Sequence, residues 1–205
     1  MNLGIDFAIY SLISLSALIP IYMFREKVFK FFYKSSDFET FLKELKKYIL
    51  IERPYIKFDY SIVEKTSDEK NPKTRQTLII ENIIMQYAEY DLNISTQNSI
   101  EKDLLWQTYE NDSFPKKDKL PKDWLRRKDL AWKRGKSKCS RCGLKIAMND
   151  SQLYLIRDTK DGGTYHLENL ISVCNDCNRI LNAEELGKIL KSLNITDTLM
   201  RKVTG

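Results

Sequence analysis

The sequence predicts an α+β chain in three parts: an N-terminal transmembrane helix, a mixed middle region, and a C-terminal strand–turn–strand–helix (ββα) unit held at both ends by cysteines. Three observations predict it. Residues 7–24 carry no charge, residues 115–145 concentrate positive charge, and all four cysteines stand in two Cys-x-x-Cys pairs with 31 residues between them. A chain of 205 residues, 42% hydrophobic and 30% charged, has room for one ordinary core or two small ones. Seven glycines and five prolines are too few for a collagen-like or linker-like chain, and one histidine excludes chemistry that needs two. Four cysteines in so long a chain do not make a disulfide-dense secreted domain.

The N-terminal run from Phe7 to Phe24 would extend roughly 27 Å as a helix, close to the hydrocarbon core of a bilayer. Arg25, Lys27, Lys30 and Lys34 follow it against Glu26 alone, and no Lys or Arg precedes it. The positive-inside rule then gives a single-pass protein of the inner (cytoplasmic) membrane, N-terminus outside and the rest in the cytoplasm. A cleaved signal peptide fits less well, because the basic start is missing and the run ends in Tyr22-Met23-Phe24. The expected organisation is an anchor with a basic juxtamembrane segment (1–34), a mixed spacer or protein-partner-binding region (35–114), and a C-terminal domain (115–205).

In the middle region, Phe38, Phe41, Leu42, Leu45 and Ile49 recur at helical spacing behind Ser35 or Ser36 as caps. The alternation from Tyr55 to Val63 predicts a strand, and the polar stretch Ser67–Arg75 a loop. Leu78–Tyr87 suits a helix or a buried strand, and Ser99–Tyr109 reads as a helix. No chemical motif stands out in this region.

The chemistry gathers after residue 115. Between Pro115 and Lys145, thirteen Lys and Arg face three Asp, a net +10, which leaves −4 for the rest of the chain. Within it, Arg126, Arg127, Lys128, Lys133, Arg134, Lys136, Lys138 and Arg141, interleaved with Trp124 and Trp132, form a candidate phosphate-binding face, since each neutralised phosphate releases counterions. Cys139, Cys142, Cys174 and Cys177 have the spacing of a tetrahedral structural Zn²⁺ site, and a cytoplasmic placement keeps such thiols reduced. Between the pairs, Leu153–Ile156 reads as a strand, Asp161-Gly162-Gly163 as a turn, Leu167–Val173 as a second strand and Cys174–Leu181 as a helix. Asn182–Leu193 reads as a further helix capped by Asn182, with a short last helix from Thr196.

These residues carry a resemblance. The basic lead-in at 124–134, the Cys139-Ser-Arg-Cys142-Gly143 knuckle, Gly162-Gly163, Asn169-Leu170 and Cys174-Asn-Asp-Cys177-Asn178 resemble the HNH endonuclease family in its form with two zinc-binding Cys-x-x-Cys pairs. The resemblance covers about residues 120–182 and implies a ββα-metal fold, metal-dependent phosphodiester cleavage and a nucleic-acid partner, DNA above all. It also implies that Asn169 fixes the hairpin and that Asn178 is a third signature residue. The family's Asp-His pair, metal holder and general base, would fall at positions that here hold Tyr154 and Leu155. Leucine takes no proton, and tyrosine as a residue type is a poor base at neutral pH. His166, the only imidazole, is the candidate substitute base, with Asp158 and Asp161 as candidate ligands of Mg²⁺ or Mn²⁺. The expected function is nucleic-acid binding by a membrane-anchored HNH-like protein whose cleavage is weak, rewired or lost. The alternative is a catalytically inactive zinc module that docks proteins in a membrane complex.

Overall fold

The structure, a computed structural model, describes residue 16 and residues 38–116 and 119–204. The chain divides into two units, 1–43 and 44–205, and the description below concerns the second. In order the elements are α1 (Phe38–Glu52, which runs across the unit boundary), α2 (Ile62–Lys65), α3 (Pro72–Glu89), α4 (Trp124–Arg134), β1 (Gln152–Leu155), β2 (Leu170–Val173), α5 (Asn175–Leu181), α6 (Leu186–Ile189) and α7 (Asn194–Thr204), with short 3-10 turns between them.

The α+β class holds, but its transmembrane part requires correction. Among the described residues no helix is long and apolar enough to cross a membrane. The anchor expected at 7–24, and the membrane partner that went with it, therefore find no support; apart from residue 16, that segment and its basic flank lie outside the described residues.

Helix α3 settles the ambiguity of residues 78–87. Asn71 caps it, its Oδ1 accepting from the Lys73 and Thr74 amides at 3.0 and 3.4 Å, and Pro72 takes the first turn, where no amide partner is needed. Its buried residues Gln76, Ile79, Ile80, Ile83, Ile84 and Tyr87 follow a period of three to four, which is a helical stripe. Full burial of each isoleucine contributes roughly 1.5–3 kcal/mol. Helix α3 packs against α7, whose Ile195 and Leu199 are buried together with the preceding Leu193. The start of α7 is held by Asp176, which accepts from the Asn194 and Ile195 amides at 2.9 and 3.0 Å.

The strands β1 and β2 pair antiparallel, Gln152 opposite Val173 and Leu155 opposite Leu170. Helix α5 packs across β1, and α4 packs on β2. This is the expected ββα unit, with β1 of the predicted length but shifted by one residue and β2 three residues shorter than predicted because residues 167–169 form a 3-10 turn. A small core under it combines Tyr109, Leu167 and Leu170 with Trp106, Trp124, Leu153 and Leu155.

Four expectations fail locally. The loop expected at Ser67–Arg75 ends early, its last four residues opening α3. Residues 55–60 alternate in burial but form no strand: the Tyr55 amide donates to the Cys142 carbonyl at 3.3 Å and the Asp59 amide to Gln86 Oε1 at 2.7 Å. Residues 99–109 form a 3-10 turn at Lys102–Leu104 and turns beyond it, and the segment is docked on the hairpin at both ends: the Gln97 amide just before it donates to the Glu168 carbonyl at 2.8 Å and the Tyr109 hydroxyl accepts from the Leu167 amide at 2.6 Å. Asn182 opens no helix. It ends α5, its Nδ2 donating back to the Asn178 carbonyl at 2.7 Å.

One buried cation knits this half together. Arg127 is fully buried. Its Nε and Nη2 donate to the two Asp123 oxygens at 2.8 and 3.0 Å. Nη1 donates to the Tyr165 carbonyl and the Ser113 hydroxyl at 2.6 and 2.8 Å, and Nη2 also to the Tyr109 carbonyl at 2.9 Å. The fork of guanidinium donors suits this set of acceptors, which a lysine could not reach at once. Arg127→Met is expected to lower the folding stability by about 3–5 kcal/mol, because Asp123, which keeps the Trp106 indole as a donor, loses its buried countercharge and the Tyr165 carbonyl loses its donor. Chemical denaturation checks this: the midpoint falls while its slope stays unchanged.

Candidate metal centre and adjoining cleft

The first pair of cysteines sits on a tight turn. The Cys139 amide donates to the Leu144 carbonyl and the Gly143 amide to the Cys139 carbonyl, both at 2.8 Å. Gly143 has φ +80°, and a Cβ there would lie 2.8 Å from Pro54 Cγ and 2.9 Å from the Tyr55 ring, so the turn requires glycine. The second pair opens α5: Cys174 is its N-cap and Cys177 lies in its first turn. Pairing of β1 with β2 carries this second pair back beside the first.

All four cysteines are buried, and their sulfurs lie within 4.8 Å of one another. Cys142 Sγ and Cys174 Sγ are 3.9 Å apart. A disulfide would bring them to about 2 Å, whereas a tetrahedron of 2.3 Å zinc–sulfur bonds has edges of about 3.8 Å. The donor set therefore fits Zn²⁺. Among the described residues no other group of three or more His, Cys, Asp and Glu gathers in this way. Within the quartet the thiols compete for ionisation: hydrogen bonds from Cys142, then Cys174 and Cys177, hold Cys139 far below the usual thiol range. Bonding to Cys139 raises Cys142, and burial raises Cys177. A dication relieves this competition by taking all four as thiolates.

Polar groups surround the quartet. The Tyr87 hydroxyl lies 3.1 Å from Cys177 Sγ and 3.8 Å from Cys174 Sγ. Burial, then the charges of Cys177 and Cys174, pushes its phenol well above the usual range and keeps it protonated. Arg141 Nη1 lies 3.5 Å from Cys177 Sγ. Arg53 is also buried; desolvation works against its charge, but Tyr87, Cys142 and Cys174 outweigh it and its pKa rises. Nothing local in the sequence marks Tyr87 or Arg53; only the folded chain brings them here.

Asn169 holds the hairpin loop. Its Oδ1 accepts from the Arg157 amide at 2.8 Å, and its Nδ2 donates to the Arg157 and Thr164 carbonyls at 2.9 and 2.7 Å. Inside that loop Gly163 packs so closely that a Cβ would run into the Arg157 carbonyl. Beside β1 and the end of α5 lies a cleft of about 340 Å³ lined by Tyr154, Leu155, Asp158, Asn182 and Glu184, among others. Asp158 caps the 3-10 turn after it, accepting from the Lys160 amide at 2.9 Å, and that bond holds its carboxyl below the usual range. Asp161 is exposed in the same turn. Asn178 lies one turn from Asn182 on α5, which donates to its Oδ1 at 3.1 Å.

His166 does not line this cleft. It lies on a separate cavity of about 280 Å³ next to Tyr109 and Glu110. Its Nε2 is 2.8 Å from Glu110 Oε2 and its Nδ1 is 2.9 Å from Thr164 Oγ1. Of the eight bases of the candidate phosphate face, Arg127 and Arg141 are fully buried. Arg134 is half-buried and donates to the Asn98, Leu167 and Leu170 carbonyls. Arg126, Lys133, Lys136 and Lys138 are exposed and Lys128 is half-buried. Arg126 lies over the Trp106 ring at 4.2 Å, and Lys133 pairs with Asp129 at 2.7 Å.

Removal of the metal with a strong chelator, or Cys174→Ser, is expected to cost the ββα unit its fold. Amide exchange in residues 139–181 then rises to the unfolded rate, and near-ultraviolet circular dichroism collapses.

Residues 139–184 match the family model for HNH endonuclease. The match spans 46 of the 205 residues and takes in all four cysteines, the hairpin and α5. No curated protein and no solved structure matches the chain. The segment 139–184 is thus similar to the HNH endonuclease family, and its four buried cysteines have the arrangement of a zinc site.

Proposed function

We propose that this module binds DNA and that its phosphodiester chemistry is lost or reduced to a trace. The reading rests above all on Leu155. The hairpin, its Asn169 clamp and the zinc quartet of an HNH unit are all present, yet the β1 position where the family keeps its general base holds a leucine, next to Tyr154 in place of an aspartate. Hydrolysis needs a group that takes the proton of the attacking water within hydrogen-bond reach of it. The cleft beside Leu155 is lined by no imidazole. His166, the candidate substitute, has both ring nitrogens engaged by Glu110 and Thr164 at another cavity, which favours loss of cleavage over a rewired site.

Asp158, Asn182 and Glu184 line the cleft, and a divalent cation held there against a phosphate would bind without activating water. Arg126, Lys128, Lys133, Lys136 and Lys138 are the bases left to contact phosphates. Arg127 and Arg141 instead stabilise the scaffold, and Arg134 ties α4 to the turn before β2.

Binding is tested by fluorescence anisotropy with duplex DNA across a salt series. The affinity is expected to fall steeply with salt, and Arg126→Ala or Lys136→Ala each to flatten the slope by about one. Plasmid incubated with Mg²⁺ or Mn²⁺ should stay intact, and Tyr154→Asp combined with Leu155→His should raise cleavage above that background. Robust cleavage by the unaltered protein that disappears with His166→Ala would overturn the reading in favour of a rewired nuclease.

A further inference from the structure

The zinc quartet is contacted by residues from outside the HNH-type unit, and those contacts bear on how the metal is held. Tyr87 comes from the last turn of α3, fifty residues before the HNH match begins. It is fully buried, and its hydroxyl points at Cys177 Sγ from 3.1 Å. The same sulfur faces Arg141 Nη1 at 3.5 Å. Arg141 in turn donates Nη2 to the Tyr87 and Ala88 carbonyls at 2.7 and 3.1 Å and Nε to the Tyr90 carbonyl at 3.1 Å. It thereby caps the unsatisfied end of α3, where a cation is also favoured by the helix dipole. Arg53 approaches from the end of α1, its guanidinium 5.4 Å from the Tyr87 ring centre and 3.9 Å from Asp176 Oδ2. Arg141 lies 5.3 Å from that ring centre.

Four thiolates around a dication carry a net charge of −2, and all four sulfurs here belong to buried residues. Such a charge is costly away from water unless donors and opposite charges face it. Two buried guanidiniums and one phenol supply that: Tyr87 and Arg141 face Cys177 Sγ, and Arg53 acts on Cys142 and Cys174.

We propose that Tyr87, backed by Arg141, is a positioning residue of the zinc site: its hydroxyl donates to the Cys177 thiolate, so that the metal holds α3 against the HNH-type unit and α3 in turn helps retain the metal. This rests on the zinc reading of the four cysteines. By the linkage of metal binding with folding, loss of the metal loosens the end of α3 as well as the knuckles. The small family unit and the helices before it thus form one metal-dependent body.

Tyr87→Phe keeps the ring and removes only the donor. In the full-length protein it should lower zinc affinity about 10- to 100-fold in competition with a chromophoric chelator. It should also shift the thiolate-to-metal charge-transfer bands after Co²⁺ substitution, a change that lost packing alone would not produce. Unaltered protein supplies the second arm: chelation should raise amide exchange across residues 79–88 as it does across 139–181. Should Tyr87→Phe fail to fold, that second arm decides by itself. Unchanged affinity and an unchanged Co²⁺ spectrum in Tyr87→Phe, or an α3 still protected after chelation, would overturn the proposal while leaving the zinc site intact. Failure of the unaltered protein to bind zinc or cobalt at all would overturn both.

Discussion

Four sulfurs drawn from two turns of the chain, with 31 residues between them, have to meet at one point, and most of the second half of the fold is arranged around that requirement. Closing a loop of that length costs entropy, and two four-residue strands cannot repay it with their own hydrogen bonds and packing. A bound dication can, because apparent binding free energies of structural zinc run to about 10 kcal/mol or more. The knuckle at Gly143, the N-cap placement of Cys174 and the strand pairing are the local means by which this chain brings the sulfurs together.

The metal unit is embedded in the chain. On one side, Arg127 anchors α4 to Tyr109, Ser113 and Tyr165, so the loop 99–114 and the hairpin share a single buried cation. On another, Tyr87, Arg141 and Arg53 surround the sulfurs with positive charge and a donor. Asp176, between the cysteines of the second pair, carries the connection on to the start of α7. Burial raises its pKa, and the two amides of α7 oppose that rise. The result is a small ββα unit supported by helices outside the family match.

The parts of this arrangement that could be read from the sequence are those encoded by short-range pattern. The two Cys-x-x-Cys pairs and the Gly162-Gly163 turn are local chemistry, and each stands where it was expected, whereas a role for Asn169 came only with the family resemblance. Helix α3 was half-legible: its apolar residues fit two periods until Asn71 and Pro72 are given weight as a start signal. Arginine identity was where the reading misled. A run of Lys and Arg looks like a surface, yet Arg127 and Arg141 are buried because each guanidinium finds carbonyl acceptors supplied by distant segments, Tyr165 and Tyr87 among them. Composition cannot show that, nor that Tyr87 would face a sulfur ninety residues away. The alternating stretch 55–60 failed for a related reason, since its Tyr55 and Asp59 amides are taken by the Cys142 carbonyl and the Gln86 side chain.

The account stands or falls on the tetrathiolate. X-ray absorption at the zinc edge of the purified full-length protein measures it without any assumption about function. Four sulfur scatterers at about 2.3 Å, with one zinc per chain and no nitrogen or oxygen in the first shell, is the expected result. A protein that carries no zinc, or a shell in which light atoms replace one or more sulfurs, would contradict the clamp and everything built around it.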